Sequence, residues 1–187
     1  MATEHPVATE VRPATADDAA AIAAVHVRAW QAGYRGLLPG ALLGSITPQL
    51  RERQWHSRLS GASREWVETL IAGDEAGTAG FCSFAAPSRD LDAGFHTAEV
   101  AAFYVDPARW GSGVADALLE DLLARLASPG RRWRELTLWM LDGNVRAGAF
   151  YARHGFTPDG ARRTDTLAGP AGLRVAAPHV RLRRPLG

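Results

Sequence analysis

The stretch DPARWGSGVADALLEDLL, residues 106–123, sets two glycines and a serine directly before an amphipathic helix and directly after an apolar run, AEVAAFYVD (98–106). A turn of this composition between strand and helix is a place where backbone can hold a phosphate. The first N–H groups of the helix have no partners within it, and its dipole is positive at that end. Glycine permits positive φ and close approach of the main chain to a ligand. A nucleotide-hydrolysing loop would need Gly-Lys-Ser/Thr, and no such lysine is present. A dinucleotide fingerprint would need a third glycine where the run Gly111-Ser112-Gly113-Val114-Ala115-Asp116 has Asp116, a carboxylate beside a pyrophosphate.

Outward from this loop, EVRPAT is a short strand, and TADDAAAIAAVHVRAWQAGY is a helix with Thr15 as N-cap and Asp18 at the third helical position. Ile22, Val25, Ala29 and Trp30 share one face of it. RGLLPGALLGSITPQL reads as a loop with a short helix, and Gln49 to Ser60 as another helix. WVETLIA (66–72) and AGFCSFA (79–85) flank GDEAGT as a hairpin, and PSRDLDAGFHT is a surface loop. AEVAAFYVD is apolar enough to be a central strand, ELTLWML (135–141) is another, and NVRAGAFYARHG (144–155) is a helix closed by Gly155. Residues 156–160 and 173–184 are expected as two closing strands joined by a Gly/Pro-rich loop. The order predicts an α+β layered fold on a central, mostly antiparallel mixed sheet of about six to seven strands, flanked by helices. Residues 1–9 are expected to be a flexible lead and 10–187 a single domain.

The 187 residues are 47% hydrophobic and 22% charged, with a formal net charge of +1. That balance supports a sizeable core and argues against nucleic acid or an acidic membrane as partner. RRWR (131–134) and RLRR (181–184) read as solvated loop and strand-end charges. Cys82 is the lone cysteine, in an apolar context that suits an inert core thiol. His26, His56, His96, His154 and His179 are scattered, with no metal-binding spacing, so no metal is expected. MATEHPVATEVRP does not read as a secretory signal, and no apolar run approaches the roughly 18 residues of a membrane span, so a cytoplasmic location is expected.

Strand, Asp-Pro, turn, Gly-x-Gly, then VADALLEDLLARL resembles the acetyl-CoA motif of the GNAT superfamily of N-acetyltransferases. NVRAGAFYARHGF matches the family's downstream pattern through Asn144, Ala147, Phe150-Tyr151 and Gly155-Phe156, about 30 residues further on. Together the match covers residues 98–156, while the N-terminal half agrees in element order only. The family's loop usually opens with Gln or Arg where this chain has Trp110, which either covers the adenine end of the cofactor or simply packs.

The resemblance implies transfer of an acetyl group from acetyl-CoA directly to a primary amine of a small molecule or peptide. It implies that the backbone of Trp110, Gly111, Ser112, Gly113, Val114 and Ala115 wraps the pyrophosphate. Phe103, Tyr104 and Val105 would offer main-chain groups to the pantetheine arm, and Asn144 would contact that arm as well as cap its helix. Tyr151 becomes the general acid to the leaving sulfur, its alternative being a packed ring beside Phe150. Glu99 becomes the general-base candidate, its alternative being a solvent-facing strand-end carboxylate. Strict alternation places Glu99, Ala101, Phe103 and Val105 on one face unless a bulge intervenes. A Glu on the next strand, seen in some relatives that modify protein N-termini, is replaced here by Trp139. Trp30 and Tyr34, with Leu37, Leu38 and Trp55, are candidates for an aromatic, apolar acceptor pocket with few acids; their other reading is core. A non-catalytic coenzyme A-binding sensor or scaffold is the alternative function, and a homodimer is left open.

Overall fold

The structure, a computed structural model, describes residues 9–61, 67–130 and 132–187. The expected lead through residue 8, the strand start at Trp66 and Arg131 of RRWR lie outside the described residues. The strands are β1 (Glu10–Pro13), β2 (Val67–Asp74), β3 (Gly77–Ala85), β4 (Thr97–Val105), β5 (Glu135–Leu141), β6 (Thr157–Ala168) and β7 (Arg174–Pro185). The helices are α1 (Ala19–Gly33), α2 (Gly40–Leu43), α3 (Pro48–Ser60), α4 (Val114–Leu126) and α5 (Val145–Arg153). One seven-stranded sheet runs β1-β2-β3-β4-β5-β7-β6. Its β4–β5 pair is parallel and the other pairs are antiparallel. This is the α+β layered, mostly antiparallel architecture expected from the sequence.

Each face of the sheet buries its own core. α1 and α3 pack Ile22, Ala23, Val25 and Trp55 on Ile71, Phe81, Ala102 and Tyr104. α4 and α5 pack Val114, Leu118, Leu122 and Tyr151 on Leu70, Cys82, Phe84, Val100 and Leu136. β4, covered on both sides, is therefore mostly apolar, with Thr97 and Glu99 as buried polar exceptions. α1 is entered through a capping box between Thr15 and Asp18. Gly80 of β3 lets α4 approach closely: a Cβ there would meet Val114, Leu118 and the Tyr104 carbonyl at 3.0–3.1 Å. Cys82 is fully buried, and that burial pushes its thiol well above the ordinary range, the inert state expected of it.

Two features of β4 shape the rest. Ser83 pairs with Ala102, whereas the next residue, Phe84, pairs with Val100, so Ala101 is an extra residue bulged from the ladder. The bulge reverses the alternation: Glu99 shares a face with Ala102 and Tyr104, and Val100 with Phe103 and Val105. The expected single face of Glu99, Ala101, Phe103 and Val105 is thus corrected. Secondly, the parallel register of β4 with β5 runs from Thr97–Glu135 to Val100–Leu138 and stops there. Beyond it the two strands part, and a cleft opens between them.

The closing hairpin differs from expectation. β6 continues to Ala168, and only Gly169–Leu173 remain as a loop. Its sequence, ARRTDTLA, lacks an apolar run because this is an edge strand paired to β7 alone, with a charged outer surface. RLRR is not simply solvated either. The Arg181 side chain is 6% exposed and meets Asp92 and Asp159 at 2.7 Å and Asp90 at 3.4 Å. This cluster stitches the 87–97 loop to the sheet, and Arg181 holds the Asp92 carboxyl below its usual range.

His26 is a second buried polar group, stacked on Tyr104 with centroids 4.5 Å apart and accepting from the Trp55 indole N–H at 3.1 Å. Trp55, a candidate pocket residue from sequence, is therefore core. Burial, with Arg51 and Arg58 nearby, pushes the His26 imidazole down to about 3 from an ordinary value near 6.5. The unfolded chain then binds more protons than the folded one between these values. The contribution of His26 to stability is fully present above about pH 6.5 and is lost as pH falls towards 3, at up to about 1.4 kcal/mol per pH unit. Denaturant titrations from pH 7 to 4 are expected to show a flatter decline for His26→Gln, which can still accept from Trp55, than for the wild type. Equal slopes would contradict this.

Candidate active site

The cleft between β4 and β5 has a volume of about 320 Å³. Its floor is β4, its far wall is α5, and its mouth is the loop ahead of α4. That loop is pinned from both sides. Asp106, immediately after β4, caps the following turn by accepting from the Ala108 N–H at 3.0 Å, and it accepts from Arg28 Nε and Nη2 of α1 at 2.8 and 2.5 Å. Arg109 pairs with Asp74 of β2. Gly111 and Gly113 hold φ of +80° and +88°, the left-handed region that disfavours other residues. A Cβ on either would meet nothing within 4 Å, so the space above the loop is open. Ala117 makes the first backbone bond of α4, to the Gly113 carbonyl at 3.0 Å. The N–H groups of residues 113–116 thus lack helical acceptors.

Of the residues predicted to hold the cofactor, Phe103, Tyr104, Val105, Trp110, Gly111, Gly113, Ala115 and Asn144 line this cleft. Ser112 and Val114, expected to contribute backbone, turn their side chains away from the cleft. The Ser112 hydroxyl turns back to the Arg109 carbonyl at 2.7 Å, and the Val114 side chain is buried beneath α4. Trp110 packs: its indole N–H donates to the Val105 carbonyl at 3.0 Å, and the Arg146 guanidinium lies 4.2 Å from its ring. Asn144 caps α5 by accepting from Ala147 N–H at 3.2 Å. Asp116, at the place of the missing third glycine, meets His154 at 2.8 Å. Arg109, Arg146 and Arg153 give the mouth a surplus of positive charge that sequence reasoning did not assemble. The two on α5 face the loop only once the helices are packed.

Tyr151 lines the cleft between Phe103, Phe150 and Phe156. The chain has three tyrosines, and Tyr34 and Tyr104 line the same cleft. Burial pushes all three phenols above their ordinary value, so they stay protonated through neutral pH. The Tyr34 and Tyr104 hydroxyls lie close enough to perturb one another.

A second cavity, of about 220 Å³, opens on the α1 side of the sheet. Glu99, Trp30, Tyr34 and Leu38 line it, whereas Leu37 does not. Glu99 is 7% exposed and accepts from the Arg89 backbone N–H at 3.0 Å, the Ser88 hydroxyl at 3.3 Å and the Arg89 guanidinium at 3.2 Å. It is neither solvent-facing nor unpaired. The lining is more polar than expected, because β6 and β7 bring in Arg163, Asp165 and His179. His179 opposes both Leu141 and Arg163 in the ladders, a register that sequence spacing alone did not supply. Tyr34, Val100, Ala101, Tyr104 and Trp139 line both cavities, so the two meet at the β4 bulge. Among the described residues no group of three or more His, Cys, Asp or Glu side chains could hold a metal ion. No helix among them is long and apolar enough to cross a membrane.

A model of the acetyltransferase (GNAT) domain matches residues 65–158. An uncharacterised N-acetyltransferase of Bacillus subtilis (strain 168), YuaI, is 32% identical over 136 residues, 72% of each chain. Among solved structures, the PaiA N-acetyltransferase of Thermoplasma acidophilum, crystallised in complex with coenzyme A, aligns with a TM-score of 0.74 at 15% identity, covering 95% of this chain and 99% of that one. The ribosomal-protein-S18-alanine N-acetyltransferase of Escherichia coli aligns at 0.63 and 19% identity, over 96% and 95%. The sequence relationships and the domain match settle what the loop, the split strands and the α5 pattern point to: the chain belongs to the GNAT acetyltransferases, the acyl-CoA-dependent N-acetyltransferases.

Proposed function

We propose that residues 10–187 act as one catalytic unit that moves an acetyl group from acetyl-CoA to a primary amine of a small molecule or peptide. The observation that carries this reading is the meeting of the two cavities at the β4 bulge, between the glycine loop and Glu99. The loop's unpaired N–H groups, its open space and the arginines at the mouth suit a pyrophosphate. The backbone of Ala101–Val105 beyond the last β5 pairing has the free edge that an amide-bearing arm adds to as a strand would. A cytoplasmic setting fits the free Cys82 thiol.

In this reading the neutral amine nitrogen attacks the thioester carbonyl carbon, a C–N bond forms and the C–S bond breaks. The amine proton passes to Glu99, directly or through a water. Tyr151 donates a proton to the departing sulfur, so one proton leaves the amine and one is gained by the thiol. Glu99 suits its part by position, its carboxylate oriented at the junction of the two cavities by three donors, and Tyr151 by its place in the cleft with its phenol protonated at neutral pH. Asn144 fixes the start of the helix that carries Tyr151.

Tyr151→Phe keeps the ring and its aromatic contacts and removes only the hydroxyl. With a competent acceptor, kcat and kcat/KM are expected to fall together by about 10²-fold, while calorimetry shows coenzyme A affinity unchanged. Wild-type turnover would return Tyr151 to packing. Glu99→Gln is expected to lower kcat by about 10²-fold or more with acetyl-CoA binding intact. Full activity across pH 6–9 would assign the proton to another group or to solvent. Failure of every amine offered, with coenzyme A still bound, would favour a non-catalytic sensor.

A further inference from the structure

We propose that the acceptor is a small zwitterion: a primary amine that also carries a carboxylate or a similarly compact oxyanion. This rests on the acetyl-transfer reading and names the class of molecule that enters its second cavity. At about 220 Å³ that cavity is smaller than the roughly 300–1,000 Å³ typical of drug-sized ligands, a space for something of amino-acid size.

The charges on its wall come in both signs. Glu99 and Asp165 oppose Arg89 and Arg163, so the four sum to zero. Each end already sets one acid against one base, Glu99 with Arg89 at 3.2 Å and Asp165 with Arg163 at 3.3 Å, so a polycation or a simple alkylammonium would meet a guanidinium beside each carboxylate and bring no anion to either. A zwitterion answers both. The ends are also separated: Glu99 is on β4 at the junction with the first cleft, and Arg163 is on β6, with β5 and β7 between them. Three strand spacings put their backbones at least roughly 14 Å apart, and both side chains reach the cavity. The amine end therefore belongs at the bulge, where the acetyl group would be delivered, and the anion at the far end.

Arg163 is equipped for that anion and Arg181 is not. Arg181 is saturated by Asp92 and Asp159 at 2.7 Å. Arg163 meets Asp165 at 3.3 Å and Asp90 at 3.8 Å, longer contacts, with its side chain 43% exposed. Its guanidinium lies 4.4 Å from the Trp139 ring. Trp139 is itself fixed, its indole N–H donating to the Asp90 carboxylate at 2.7 Å. A planar guanidinium held on an immobile aromatic face is a preorganised, bidentate partner for a carboxylate.

The test uses the full chain, acetyl-CoA and thiol release. β-Alanine, 4-aminobutyrate, L-alanine and L-glutamate are each compared with their methyl esters. The esters keep the amine and remove negative charge, and their less basic amines bias the assay against the proposal. At least one free acid is expected to exceed its ester at least tenfold in kcat/KM. Arg163→Met, which keeps the side-chain stem, is expected to raise KM for that acid tenfold or more and leave KM for its ester and for acetyl-CoA unchanged. Esters that match or exceed all the acids would overturn the zwitterion while leaving acetyl transfer standing. If neither acids nor esters are acetylated, calorimetry of the same acids with coenzyme A present decides: binding that Arg163→Met abolishes upholds the zwitterion site although the transfer reading fails, and no binding overturns it.

Discussion

The site depends on the interruption of hydrogen-bonded pairing on both sides of β4. β4 and β5 pair in parallel as far as Val100 and Leu138 and then diverge, and beside that point Ala101 is bulged from the β3–β4 ladder. Without the divergence the sheet would be continuous and there would be no cleft between its central strands. Without the bulge Glu99 would lie on the α4–α5 side, away from Tyr34 and Tyr104. These two irregularities, side by side, thus open a path through the sheet and place an acidic group on one side of it and a tyrosine-bearing helix on the other. An interrupted strand leaves backbone groups unpaired, which is a cost in a purely structural sheet. Its presence in the middle of a central strand points to function, as bulges beside active sites commonly do.

Both irregularities are held by their surroundings. Asp106, immediately after β4, joins α1 through Arg28, and Arg109 joins β2 through Asp74, so the glycine loop is braced against both ends of the N-terminal half. On the other side, Asp90 ties the 87–97 loop to Trp139 and Arg181, which keeps the carboxylate-bearing end of β4 in place. The two cavities are therefore rigidly related through the same strand. That relation is what positioning two reactants requires, since small misplacements of reacting atoms are costly in rate.

Much of this was legible in the sequence. The apolar run 98–106, the Gly-Ser-Gly turn and the α4 pattern fall where they were expected, and so do Asn144 as a cap and Tyr151 in the cleft. These are local signals, carried by residues close together in the chain. What was not legible depends on register and on faces. Trp55 is apolar and helical whether it lines a pocket or, as here, donates to His26 in the core. Arg181 looks like a strand-end charge until β6 and the 87–97 loop bring three carboxylates to it. Arg163, Asp165 and His179 reach the second cavity because β7 lies between β5 and β6, a strand order that no spacing in the sequence reports. The extent of β6 was missed because an edge strand needs no apolar alternation to be held by backbone pairing.

The most direct test of the central claim is a crystal structure with coenzyme A bound. The pyrophosphate is expected on the N–H groups of residues 113–116, the arm along Ala101–Val105, and the thiol sulfur within roughly 3.5 Å of the Tyr151 hydroxyl, on the side of the bulge facing Glu99. A coenzyme bound elsewhere, or one whose sulfur ends far from both the Tyr151 hydroxyl and the junction of the two cavities, would contradict the account.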